Sequence, residues 1–225
     1  MRPTQFGFRP RRGTIDALTL TRRMIDAALE RNAGGMSLLL LDWAKAFDRI
    51  KTAEMMIALK RFGLPDEMIR MIGGIYELRS FIIKDHCGVS SARDQESGIA
   101  QGCPLSPYLF IIVQSVMMHD VFESIRHNLV AEPDYIVTRD ILYADDTLLA
   151  SCSAYNLQLI LASVVQEGAR YGLELNWSKT LQMRVATHAR VYRPSGEEIL
   201  CTDKSLTELE TRSEERLKFC DKHRT

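Results

Sequence analysis

Apolar residues recur along this chain in a few distinct patterns, and each pattern predicts an element. Ile15, Leu18, Ile25, Ala28 and Leu29 fall near one face of a helix over about 15–31. Thr14 can cap that helix, Asp16 sits in its first turn, and Gly34-Gly35 stop it. Further helices are predicted over 52–62, closed by Gly63, over 65–79, where Gly73-Gly74 weakens the middle, and over 157–171, ended by Gly172. The long apolar stretch over 108–125 predicts a deeply buried helix. Residues 36–41 form a short unbroken apolar run that follows two glycines and ends in Asp42, which reads as a buried strand. Two more apolar runs, 136–143 and 147–151, flank Ala144-Asp145-Asp146 and predict a hairpin with acidic residues at its turn. Residues 81–85 and 89–95 predict a second hairpin around Cys87-Gly88, and 173–175 a short strand. Residues 97–107 are a Gly- and Pro-containing loop. From Arg193 onward the chain is polar and charge-mixed and carries no predicted element. Irregular alternation of helices with hairpins predicts an α+β fold with an antiparallel sheet, not a doubly wound parallel one.

Composition narrows the class without naming a partner. Apolar residues are 46% and charged residues 26% of the 225, which is globular and excludes wholesale disorder. Lys+Arg and Asp+Glu balance at 29 each, so no overall basic charge announces nucleic acid. Locally the balance breaks: the first fourteen residues hold Arg2, Arg9, Arg11 and Arg12 and no acid. Such a segment can meet phosphate, although a solvated loop looks the same. Cys87, Cys103, Cys152, Cys201 and Cys220 are widely spaced, with no Cys-x-x-Cys pair, so neither a zinc site nor a disulfide framework is predicted. A reducing compartment fits. The longest apolar runs fall short of the roughly 20 residues that span a bilayer, and the N-terminus lacks a signal-peptide pattern. A soluble intracellular protein with no membrane partner is expected.

The acidic positions carry the chemistry. Asp42 ends a buried strand, and Asp145 and Asp146 occupy a hairpin turn. A carboxylate at the end of an apolar strand is costly unless paired, solvated or bound to a cation. Three of them brought together repel one another, and a divalent cation removes that penalty. Two ions bridged by aspartates suit in-line phosphoryl transfer. An Asp at a strand end is also a common turn former or helix cap, and Asp48 is read as the cap of the helix that follows it.

These residues stand in blocks whose order resembles that of reverse transcriptases, most closely those of non-LTR (LINE-type) retrotransposons. The resemblance runs from Gln5 to about Met183. Gln5-Phe6-Gly7-Phe8-Arg9-Pro10, followed by Arg12-Gly13-Thr14, resembles the block that closes the fingers and contacts template. Leu41-Asp42-Trp43-Ala44-Lys45-Ala46-Phe47-Asp48 resembles motif A. Ser97 to Phe110, with Gln101-Gly102-Cys103-Pro104-Leu105-Ser106-Pro107 at its centre, resembles motif B, and its wording is nearer to LINE-type elements than to retroviral or group II intron enzymes. Tyr143-Ala144-Asp145-Asp146 resembles motif C, and Gly172 to Lys179 resembles motif D.

The resemblance implies a right-hand polymerase palm, an antiparallel sheet packed on helices, with partial fingers and the thumb missing. Residues 1–192 would be the reverse transcriptase domain (1–35 the end of the fingers, 36–192 the palm) and 193–225 a divergent or poorly ordered tail. The family's upstream fingers block is not found, and 205–209 stands where a Tyr-Leu-Gly segment should follow. The implied reaction is attack of a DNA primer 3′-hydroxyl on the α-phosphate of a dNTP, directed by an RNA template. Asp42, Asp145 and Asp146 would hold two Mg²⁺ ions, with Mn²⁺ a possible substitute, and the Trp43 carbonyl could add a ligand. Phe47 would exclude a 2′-hydroxyl, Gln101 and Gly102 would lie against the nucleotide, and Lys179 would protonate the leaving pyrophosphate. Gln5, Arg9 and Arg12 would meet the template, with binding that weakens as salt rises. In a eukaryotic host the site of action would be the nucleus. The alternatives are an inactive, truncated retroelement relic that at most binds nucleic acid, and a group II intron-type reverse transcriptase.

Overall fold

The computed structural model describes residues 1–30, 35–77, 79–86, 88–95 and 97–202. In chain order the elements are α1 (Thr14–Glu30), β1 (Met36–Leu41), α2 (Ala46–Arg49), α3 (Thr52–Phe62), α4 (Asp66–Tyr76), β2 (Ser80–Phe81), β3 (Lys84–Asp85), β4 (Gly88–Val89), β5 (Arg93–Asp94), α5 (Ser106–Ile125), β6 (Asp140–Tyr143), β7 (Asp146–Ser151), α6 (Ala154–Arg170), β8 (Leu181–Val185) and β9 (Cys201–Thr202). They fall into two compact units. One is a sheet unit of Pro3–Asp42, His127–Ala162 and the chain from Asn176 on. The other is a helical unit of Met1–Arg2, Trp43–Arg126 and Ser163–Leu175.

The sheet unit is built around β1. Its five strands run in the order β6-β7-β1-β8-β9, antiparallel except for the short parallel pairing of β8 with β9. As the middle strand, β1 is buried along almost its whole length, so its sequence is an unbroken apolar run without alternation. Helix α1 covers one face: Ala17, Met24, Ile25 and Ala28 share a core with Met36, Leu38, Ile141, Ala150, Met183 and Val185. Each large side chain fully buried here contributes about 1.5–3 kcal/mol. The stripe differs from the one predicted. Ile15 and Leu29 point outward, 79% and 52% exposed, and Thr21 lies inside. The inward face is the one with small residues, which lets the helix approach the sheet. Thr14 is the first helical residue and not the cap; the Asp16 carboxylate instead accepts the Gly13 N–H at 2.7 Å. Gly34, half of the predicted helix stop, lies outside the described residues. Gly35 has φ 73°, and a Cβ there would meet the Ala186 carbonyl oxygen at 2.2 Å, so glycine is required where the chain enters β1.

Strand β6 is shorter than predicted and starts at Asp140, with Ile136 in a turn on Pro133. Strand β8 was not predicted at all. Its Leu-Gln-Met-Arg-Val sequence places a glutamine in the core, where Gln182 donates to Ser37 Oγ at 3.2 Å and to the Ala189 carbonyl at 2.9 Å. The amide nitrogen thus has two partners, while among the described residues Oε1 has none, and a glutamine here hides the strand from a search for apolar runs. The chain also keeps its structure beyond Arg193. Tyr192 and Glu198 form a bridge, Ile199 donates to Val191 and is buried, and β9 closes the sheet edge. The rest of the predicted tail, 203–225, lies outside the described residues.

In the helical unit α5 is the core, with α3 packed on it and α4 on α3. At 20 residues α5 is long and apolar enough to cross a membrane, contrary to the predicted absence of such a run; 67% of its apolar window is buried within the protein, as in a core helix. Gly63 at φ 93° ends α3 with N–H bonds back to the last turn. The hairpin predicted over 81–95 is two short ladders, β2 with β5 and β3 with β4, and Cys87 at its tip lies outside the described residues. The strand predicted over 173–175 is a single bridge between Trp43 and Leu175.

Candidate active site

The sheet unit gathers the acidic residues at one end. Leu41 pairs with Thr147, so one step further along the same register sets Asp42 opposite Asp146. Opposed residues of an antiparallel pair share a face. Tyr143 pairs with Asp146, which leaves Ala144 and Asp145 as the two residues of a tight turn. Ala144 takes φ 54°, a conformation that hairpin turns usually give to glycine. Lys179 joins this end of the sheet: its Nζ lies 3.8 Å from Asp42 Oδ2, and Asn176, three residues earlier, donates its N–H to the Asp42 carbonyl at 2.7 Å.

The N-terminal block backs this turn. Leu142 donates to the Thr4 carbonyl at 2.9 Å and Phe6 to the Leu142 carbonyl at 2.7 Å, so 4–6 adds to the outer edge of β6. Gln5 is fully buried, and its Oε1 accepts the Gly7 N–H at 2.9 Å. Gly7 is thereby set against Ala144: a Cβ on Gly7 would lie 2.2 Å from the Ala144 nitrogen. Arg9 donates to the Gln5 carbonyl at 3.3 Å, and Arg12 donates to the Pro3 carbonyl while its guanidinium lies 5.2 Å from the Phe6 ring centre. Both arginines brace the loop that bears them. The part of Gly7 was not read from the sequence, since only contact with the motif C turn reveals it.

The residues expected at the nucleotide lie in the helical unit. Phe47 is half-buried and stacks on Phe110, ring centres 4.8 Å apart. The loop before α5 is laced to α2: Ile99 donates to the Phe47 carbonyl at 2.7 Å, Gly98 to the Ile50 carbonyl at 2.8 Å, and Ser97 Oγ to the Asp48 carbonyl at 3.2 Å. Gln101 Nε2 donates to Asp48 Oδ1 at 2.8 Å. This corrects the reading of Asp48 as a helix cap. Lys51 occupies the cap of α3 without a side-chain bond, and the Asp48 carboxylate orients Gln101 instead. Gly102 is exposed at φ 84° with open space around it. Trp43 is buried, its ring 3.0 Å from where a Cβ on Gly168 would stand, so any side chain at that point of α6 would press on the indole.

All three aspartates offer hard oxygen donors, the set a divalent cation of the Mg²⁺ type takes. Among the described residues no three acidic, histidine or cysteine side chains already form an ion cage.

A largely antiparallel sheet with an aspartate at the end of its middle strand and an Asp-Asp hairpin beside it is the palm of a nucleic-acid polymerase. The chain belongs to the reverse transcriptase (RNA-dependent DNA polymerase) family, whose model matches residues 1–216. It is 26% identical over 177 residues to the Retrovirus-related Pol polyprotein from type-2 retrotransposable element R2DM of Drosophila melanogaster, covering 79% of this chain and 16% of that protein. To the Pol polyprotein from type-1 retrotransposable element R2 of Nasonia vitripennis it is 28% identical, covering 83% and 17%. The chain thus spans about a sixth of the length of these relatives. Among solved structures, telomerase from Candida tropicalis in complex with a fragment of telomeric RNA matches with a TM-score of 0.61 at 15% identity, covering 83% of this chain and 31% of that one. That likeness shows the polymerase fold. Reverse transcriptases as a family use divalent metal ions.

Proposed function

We propose that this chain supplies the catalytic palm of an RNA-directed DNA polymerase from an R2-like, non-LTR retrotransposon, extending a DNA primer with dNTPs on an RNA template. The observation that carries this reading is the end of the sheet: Asp42 and Asp146 in register, Asp145 at the adjoining turn, and the Lys179 ammonium 3.8 Å from Asp42. Asp42, Asp145 and Asp146 would hold two Mg²⁺ or Mn²⁺ ions, with the Trp43 carbonyl as a further oxygen. When bound, such ions activate the attacking hydroxyl and stabilise charge on the leaving oxygen.

The chain's own groups do the rest. Lys179 donates a proton to the pyrophosphate. Phe47, backed by Phe110, gives the sugar a flat wall that a 2′-hydroxyl would strike. Gln101, oriented by Asp48, and Gly102, whose backbone is open, meet the nucleotide. Arg9 and Arg12 attract template phosphate, and Gln5, being buried, acts on the template indirectly by shaping the loop that carries them. In a eukaryotic cell this chemistry would take place in the nucleus.

The test is primer extension on an RNA template with dNTPs and Mg²⁺, comparing the chain with Asp145→Ala. Extension that the substitution abolishes, with the melting temperature retained, supports the reading. Equal extension by both removes it.

A further inference from the structure

We propose that Arg193 is a positioning residue for Lys179, acting through the turn that carries Trp177; the inference rests on the polymerase reading above. Lys179 bears its charge on a flexible four-carbon stem, so the location of the ammonium depends on how firmly its main chain is held. The start of the turn is tied to Asp42 itself, through the Asn176 N–H at 2.7 Å. The turn then closes on the Asn176 carbonyl, which accepts the N–H groups of Lys179 and Thr180 at 3.0 Å each and the Thr180 hydroxyl at 3.0 Å.

The next residue, Trp177, is held from later in the chain. Arg193 Nη2 donates to the Trp177 carbonyl at 3.3 Å, and its guanidinium lies 5.9 Å from the Trp177 ring centre. Arg193 is itself preset. Its Nη1 meets Glu197 Oε2 at 2.8 Å, its N–H donates to the Glu197 carbonyl at 2.8 Å, and Gly196 closes back on the Arg193 carbonyl at 2.9 Å. One planar fork therefore lies against a ring, donates to a carbonyl and pairs with a carboxylate. A lysine, with a single compact charge, cannot do all three. With Arg193 gone Trp177 is released, and Lys179, already 60% exposed, leaves the neighbourhood of Asp42.

The test compares the full chain with R193A, R193K, K179Q and the R193A/K179Q double variant. Two readouts are needed: the rate constant and dNTP Kd of single-nucleotide addition, and the rate at which an amine-acylating ester modifies Lys179, followed by mass spectrometry. The second needs no catalysis. R193A should acylate Lys179 severalfold faster and lower the addition rate constant about tenfold with little change in Kd. R193K should behave like R193A, and it carries the same readouts if R193A does not fold. In the K179Q background R193A should cost nothing further. Unchanged acylation overturns the proposal whatever the activity. So does faster acylation with an undiminished rate constant, or an equal fractional loss in the K179Q background. A wild-type chain that adds no nucleotide sinks the polymerase reading instead, and acylation alone then decides whether Arg193 holds Lys179.

Discussion

Replacing Gly7 by alanine adds one carbon at a point where the backbone of the motif C turn already stands. That Cβ would lie 2.2 Å from the Ala144 nitrogen, 3.0 Å from its Cα and 3.1 Å from the Tyr143 carbonyl carbon. Ordinary van der Waals contact begins at about 3.4 Å, so the two segments must part by roughly 1 Å. Neither can yield by turning a side chain, because all three atoms are backbone. The 4–6 segment is fixed to β6 by two main-chain hydrogen bonds, so the yielding part is the turn, which holds Ala144 at φ 54° and carries Asp145. Overpacking of this kind costs about 1–3 kcal/mol. A 1 Å displacement of a group that positions reactants costs on the order of a hundredfold in rate. Gly63→Ala is the control: Gly63 has φ 93° with no atom within 4 Å, so alanine there is strained by about 1 kcal/mol without displacing a neighbour. Both variants should melt lower, and only Gly7→Ala should lose extension, by about a hundredfold in single-turnover rate. A Gly7→Ala protein that extends at the wild-type rate would refute the claim that the N-terminal block sets the turn.

Gly74 is an exposed helical position in α4 with open space around it, so Gly74→Ala should raise stability by about 0.5–1 kcal/mol in a urea melt; a lower midpoint would show that the position is packed. Arg61 forks onto Asp120, and the Tyr171 hydroxyl donates to the same carboxylate at 3.3 Å. Burial alone pushes the Asp120 carboxyl up, but the Arg61 hydrogen bond and charge outweigh it and hold the group below its ordinary value of 3.8. Its contribution to stability is therefore whole above about pH 4 and lost as pH falls through the depressed value. Burial, then the Asp120 charge, pushes the Tyr171 phenol above its ordinary 10.0, so its contribution is whole below that pH and lost as pH rises through the raised value. Asp120→Asn should cost about 1–2 kcal/mol at neutral pH and flatten the acid side of a melting-temperature profile; an unchanged acid limb would rule the pair out. Burial pushes the Cys152 thiol up, and its sulfur contacts the Tyr135 hydroxyl at 3.0 Å, so iodoacetamide at pH 8 should label Cys152 slowly until the chain is unfolded.

What the sequence revealed and what it hid divide along a physical line. Strand β1, the β6–β7 hairpin and α5 announce themselves because each is buried on most sides and so must be a continuous apolar run; the aspartates announce themselves because they end such runs. The features that were missed owe their place to other forces. The inward stripe of α1 uses Ala17 and Thr21, which close approach favours and a count of large apolar residues passes over. Strand β8 keeps Gln182 in the core through the two bonds its amide nitrogen donates, and segment 4–6 joins the sheet through main-chain bonds that any sequence could make.

The same division applies to the site. The three aspartates were legible as chemistry, because a carboxylate at the end of an apolar run calls for an explanation, whereas Phe47, Gln101 and Lys179 were singled out only by the resemblance of their blocks to the family's. The residues that hold them were not: Gly7 reads as one glycine of many, Asp48 as a cap, and Arg193 as the first charge of a polar tail. Each acts by denying a neighbour its freedom, and that is a property of a contact and not of a residue type. Arg193 shows the consequence most plainly. It lies fourteen residues after Lys179, in the part of the chain that hydrophobic patterning leaves blank. Yet the Asp42 carbonyl and the Arg193 guanidinium hold adjacent residues of one short turn, Asn176 and Trp177, so the placing of the Lys179 ammonium is shared between a strand end that the sequence advertises and a hairpin that it conceals.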